Sequence, residues 1–127
     1  MKTAIQETFD KGVEMHKAGQ LDLAKQLYAA VILLEPQHAD ANHNLGVIEV
    51  VVENFEKAIP LLRIALEENP DQLQYWITYI ETLIKLGTLD EAREVLNQAK
   101  ERGATEKEFQ QLEQRLNGLE ETSASTV

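Results

Sequence analysis

Residues 39–72 read ADANHNLGVIEVVVENFEKAIPLLRIALEENPDQ, and this stretch decides the fold. Its first half places Ala41, Leu45, Ile48 and Val52 at the i, i+4, i+7, i+11 spacing that gives a helix one buried face. The second half does the same with Ala58, Ile59, Leu62, Ala65 and Leu66. A step of 34 residues in either direction meets the pattern again. Ala24, Ala58 and Ala92 form one column at that step, and Leu21, Phe55 and Leu89 form a second. Tyr28, Leu62 and Leu96 form a third, and Val31, Ala65 and Ala99 a fourth. Gly12 pairs with Gly46 and Pro36 with Pro70 at the same step, while Gly19 and Gly87 stand 68 apart with Glu53 in the slot between. So many independent columns with one period identify an internal repeat.

Outward from this core the helical reading continues. Trp76, Tyr79, Ile80, Leu83 and Leu86 share one helix face, followed by Leu89, Ala92, Leu96 and Ala99 on the next. Thr88 with Glu91, and Thr105 with Glu108, have the spacing of capping boxes. Pro60 falls inside a predicted helix, where it removes a backbone bond at a cost of up to about 3 kcal/mol and predicts a bend. Phe109, Leu112 and Leu116 stripe one more segment that carries Glu and Gln on its other face. Stacked repeats end in an open apolar face unless a polar-backed helix covers it, so this segment predicts a cap over about 106–117. Leu119 to Val127, LEETSASTV, has no period and predicts a flexible tail or linker.

The columns resemble the tetratricopeptide repeat (TPR) family. That resemblance implies an all-α fold: a right-handed α-solenoid of three TPR helical hairpins plus a C-terminal capping helix. The repeats lie at about 5–38, 39–72 and 73–106, which makes 1–118 one domain and 119–127 the tail. In the family a Gly and a small residue let the paired helices approach closely, and a Pro ends the second helix. Leu45-Gly46, Phe55, Ala58, Leu62, Ala65 and Pro70 fill those slots in the second repeat. Trp76 fills the aromatic slot of the third repeat, where Thr8 and Asn42 stand in the others, and Ala104 replaces the closing Pro.

Composition narrows the function classes. With 12 Lys and Arg against 22 Asp and Glu, the formal charge is −10 over 127 residues. Binding phosphate backbones or anionic headgroups needs clustered cations, so no nucleic-acid or membrane partner is expected. There is no cysteine, which excludes disulfides, thiol nucleophiles and thiolate metal sites and fits a reducing, cytoplasmic location. No cofactor is implied. Ser123 and Ser125 lie in the tail, where nothing orients a base beside them. His38, Asp40 and His43 offer a loose divalent-metal spacing without a fourth ligand and read as surface polar residues. The carboxylates on amphipathic helices read as a solvated face. No catalytic constellation emerges, so the chain is not expected to be an enzyme.

The resemblance also implies a concave groove lined by the first helix of each repeat. Carried over slot by slot, it takes Phe9, Asp10, Val13, His16 and Lys17 from the first repeat. The second supplies His43, Asn44, Val47, Val50 and Val51; the third supplies Ile77, Thr78, Glu81, Ile84 and Lys85. The expected peptide-binding set is Phe9, Val13, His43, Asn44, Val47, Val51, Ile77, Thr78 and Glu81. Phe9, Val13, Val47, Val51 and Ile77 would form one apolar stripe, with Asn44 as polar anchor because its amide both donates and accepts. The alternative is that the valines are covered by neighbouring repeats or by the tail. Phe9, Val13, Gln74 and Thr78 stand where the chaperone-binding members of the family carry their clamp, so an acidic chaperone tail is not the expected ligand.

His38 to Gly46 (HADANHNLG) also looks like repeats ahead of bacterial glycosyl-, sulfo- and methyltransferase domains. It is similar to those of O-linked N-acetylglucosamine transferases, whose ladder of asparagines grips substrate peptide. Asp10 and Thr78 interrupt that ladder here. The leading expectation is therefore a protein-interaction module binding a peptide or helix. The alternatives are the substrate-recruiting segment of a larger transferase and a self-assembly element, a homodimer through the apolar groove or the stack end.

Overall fold

Each period folds as two helices joined by a tight turn, because the residue in the turn takes a left-handed backbone that stops the helix. Gly19 (φ 78°), Glu53 (φ 64°) and Gly87 (φ 83°) hold that position in the successive turns. The computed structural model describes residues 1–125, with side chains through Ser123. Among them are α1 (Ala4–Lys17), α2 (Leu21–Leu34), α3 (Ala39–Val51), α4 (Phe55–Glu68), α5 (Leu73–Leu86), α6 (Leu89–Glu101) and α7 (Lys107–Ser125), with no strand. The fold is all-α, as the periodicity requires. No helix among the described residues is long and apolar enough to cross a membrane.

The chain divides into two compact units, Met1–Asn69 and Pro70–Val127. In the first, α1 packs on α2 and α3 on α4, and α2 also packs on α3. Ala24, Tyr28 and Ile48 are fully buried at its centre, with Phe9, Val13, Met15, Leu21 and Leu45 packed around them. Two glycines set the spacing. A Cβ at Gly12 would lie 2.7 Å from the Tyr28 ring, and one at Gly46 would lie 2.7 Å from Leu62 Cδ2. Tyr28 and Leu62 are themselves buried, so neither can step aside.

The second unit solves the same problem differently. Its position in register with Gly12 and Gly46 is Ile80, which is fully buried. An isoleucine holds the two backbones further apart, and α5 and α6 pack less closely than the earlier hairpins. The apolar surface this leaves is covered by α7, which packs on both helices through buried Phe109, Leu112 and Leu116. Trp76 and Asn42, 34 residues apart, do one job in two chemistries. Trp76 Nε1 donates to Pro70 O at 2.8 Å, and Asn42 Nδ2 donates to Pro36 O at 3.1 Å.

Several local expectations need correction. Val52 is the C-cap of α3 and 45% exposed, because the helix ends before it can join the buried face. Thr88 makes no side-chain cap; its hydroxyl instead donates to Leu83 O at 3.0 Å, closing the turn at Gly87. The last helix does not stop near 117 but runs to Ser125, taking in most of the stretch expected to be tail. Its extension is tied down at Glu120, whose carboxylate receives Arg93 Nε at 3.3 Å and Nη2 at 2.6 Å. Residues 126 and 127 of that expected tail lie outside the described residues. Pro60 sits inside α4, which continues through it.

Candidate functional site

The expected groove residues of the first unit gather on α1 and α3. Phe9 and Val13, one turn apart on α1, are half-buried and packed against the core. The Phe9 ring lies 5.8 Å from that of Tyr28 and 5.1 Å from that of His38. On α3, Asn44, Val47 and Val51 follow the i, i+3, i+7 spacing of one face and grade outward from half-buried to exposed. Val51 is 60% exposed, a β-branched apolar side chain with no cover. His43 is buried beside them.

Between the two helices runs a polar chain that sequence reasoning did not foresee. His43 Nδ1 is 3.3 Å from Asn44 Oδ1, Asn44 Nδ2 donates to Tyr28 Oη at 3.4 Å, and Tyr28 Oη is 3.2 Å from His16 Nδ1. A carbonyl oxygen can only accept, so His43 carries its proton on Nδ1; the tyrosine hydroxyl, accepting from Asn44, has its own proton to give to His16. This assignment follows from the network. Burial lowers the pKa of His43, with the Asn44 hydrogen bond and the Asp40 charge pulling the other way. Burial lowers that of His16 too, and raises that of Tyr28. Burial thus disfavours the charged form of both imidazoles, and His16 uses its neutral form to accept from the Tyr28 hydroxyl. The signal was present in the sequence: Tyr28 stands in a column whose other members are Leu62 and Leu96, and a buried hydroxyl needs a partner.

Asn44 is thus partly committed inside the protein. Its second N–H and the remaining lone pair on Oδ1 are what it can offer a partner. His38, weighed as a metal ligand, accepts the Ala41 N–H through Nδ1 at 3.0 Å and caps α3. That bond uses the lone pair a metal would need.

The second unit holds Ile77, Thr78 and Glu81 on α5. Ile77 is only 8% exposed, so it does not present the open apolar surface expected of it. Ile77 stands at the edge of the apolar face of α5 and is buried together with Tyr75, Trp76, Tyr79, Ile80, Leu83 and Ile84, while Gln74, Thr78, Glu81 and Lys85 make the polar face. Thr78 is half-buried and accepts from Gln74 Nε2 at 3.1 Å, and Glu81 is half-buried. The predicted stripe therefore keeps Val51 as its exposed apolar member, with Val47 half-buried beside it.

Comparison with known proteins agrees with the helical-repeat fold. The tetratricopeptide repeat family model matches residues 52–116. Yeast Tom70 superposes with a TM-score of 0.84 at 20% identity, over 96% of this chain and 25% of that one. The TPR2B domain of yeast Sti1, solved in complex with pHsp70, gives 0.77 at 21% identity over 90% and 96%. The Yersinia enterocolitica type III secretion chaperone SycD, solved with a peptide of the translocator YopD, gives 0.75 at 19% identity over 96% and 93%. No curated protein matches in sequence.

Proposed function

This chain belongs to the tetratricopeptide repeat family, and from that premise we propose that it is a protein-interaction module that takes an extended peptide or an amphipathic helix against α3. One observation carries the reading: Val51 is 60% exposed on the face where half-buried Val47 and Asn44 also stand. An exposed β-branched residue with a half-buried one and a polar anchor beside it suits a ligand that buries apolar side chains and hydrogen-bonds its backbone. The two Sti1 and SycD structures, both complexes, support a peptide-like ligand. The excess of 22 acids over 12 cations speaks against nucleic acid and anionic membranes as partners.

The test is selection of peptides from a displayed random library, counter-screened on Val51→Asp and followed by titration. Binders should share two or three apolar residues and lose about tenfold or more in affinity on Val51→Asp, with helicity unchanged because the side chain faces solvent. A peptide ending in an acidic carboxylate motif should not bind, since Phe9, Val13, Gln74 and Thr78 offer no cation to pair with it. Library binders indifferent to Val51→Asp, or salt-sensitive micromolar binding of the acidic peptide, would refute the reading.

A further inference from the structure

We infer that two copies of this chain pair through the outer face of α2, antiparallel about a two-fold axis. The helix reads LDLAKQLYAAVILL and buries Ala24, Tyr28 and Val31 on one side. On the other, Leu23 is 47%, Leu33 83% and Leu34 68% exposed, with exposed Ala29 and Ala30 between them. The repeat register shows how unusual this is. Positions 23, 33 and 34 correspond to Lys57, Glu67 and Glu68 one period on, and to Glu91, Glu101 and Arg102 two periods on. The 14 residues of α2 include two charges, against five in the 14 of α4 and six in the 13 of α6. One of the two, Lys25, is already neutralised by buried Glu49 at 2.8 Å.

A second copy is the occupant this face fits. Chains carrying a net charge of −10 repel one another, so close approach is favoured where charge is sparse, and exposed Asp22 is the one acid of α2. The face is also self-complementary, as a two-fold interface demands. Leucines stand at both ends and alanines in the middle, so antiparallel helices approach closely at the alanines and set Leu33 and Leu34 of one against Leu23 of the other. Beside α2 lies an open cleft of about 590 Å³ whose lining includes Ala29, Leu45, Pro60 and Leu61, room for a leucine of the second copy. Lys57 lines the same cleft next to Lys25 and Gln26, at the end where the second copy's α2 terminates in Glu35. Among the described residues neither the Lys57 nor the Glu35 side chain has an ion-pair partner. Two reciprocal Glu35–Lys57 pairs would close the rim.

Sedimentation equilibrium of the full chain across the micromolar to millimolar range tests this. The wild type should dimerise, and Leu33→Glu should raise the dissociation constant about tenfold or more with the helical circular dichroism unchanged. Lys57→Glu and Glu35→Lys should each weaken the dimer, and the two together should restore it. These residues lie outside the core, so the charge exchange reads pairing rather than folding. A wild type that stays monomeric overturns the inference, as does a dimer broken by Val51→Asp but indifferent to Leu33→Glu. Failure of the double exchange to recover affinity overturns the antiparallel arrangement.

Discussion

The second and third hairpins follow one 34-residue pattern, yet they hold their helices together in different ways. In the second, Gly46 lets α3 sit against Leu62 of α4 with no room for a methyl group. In the third, Ile80 occupies the same slot, α5 and α6 stand further apart, and α7 covers what they leave open. The contrast teaches that a hairpin can draw its stability either from the close approach of its own two backbones or from a third helix. The two routes differ at the slot that Gly46 and Ile80 share.

Removing the cover of the third hairpin should have the largest effect. Leu116 is fully buried, and Leu116→Ala should cost about 2–5 kcal/mol in chemical denaturation, from lost transfer energy and the cavity left behind. Truncation after Arg102 goes further and should cause aggregation visible by light scattering, since it uncovers the apolar surface of α5 and α6. A truncated chain that stays monomeric with unchanged thermal stability would break the comparison, because the third hairpin would then need no cover.

The close approach in the second hairpin comes next. Alanine is ordinarily better than glycine inside a helix by about 0.5–1 kcal/mol. At position 46 the added methyl meets Leu62 at 2.7 Å, so Gly46→Ala should instead destabilise by about 1–3 kcal/mol. The sign is the result to read in a denaturant titration. A stabilised variant would mean that α3 and α4 can separate as easily as α5 and α6 already have.

Much of this was legible in the sequence because a repeat declares its helices several times over. The columns at Ala24, Ala58 and Ala92 point to the hairpins without help from any one residue. What escaped were features that depend on one position meeting a distant one. Residues 119–125 have no apolar period, and their helix is anchored by Glu120 reaching Arg93, 27 positions away in the chain. Ile77 occupies a groove slot by register, but its exposure depends on how completely α5 is enclosed. Asn44 was singled out for its amide, while the Tyr28 hydroxyl that holds one of its N–H groups came from a column read as core.

The finest comparison lies in the turns, where one slot is filled by Gly19, Glu53 and Gly87. All three are left-handed, with φ between 64° and 83°. A residue with a Cβ pays roughly 1–2 kcal/mol there, because the Cβ crowds the following carbonyl oxygen. Among the described residues the Glu53 carboxylate has no hydrogen bond or ion pair to offset that strain. Glu53→Gly should therefore stabilise the protein, even after about 0.5–1 kcal/mol is returned through the freer unfolded chain. The net gain should be roughly 0.5–1 kcal/mol, a rise of a few degrees in Tm by calorimetry. The exchanges Gly19→Ala and Gly87→Ala should move the other way by a similar amount, although both sites have open space for the methyl group. That last point separates backbone strain from crowding: at these positions nothing lies within 4 Å of the added carbon, so any loss must come from φ alone. A neutral Glu53→Gly would show that the second turn holds its left-handed residue without strain, and the three turns would then differ in backbone energetics as the hairpins differ in packing.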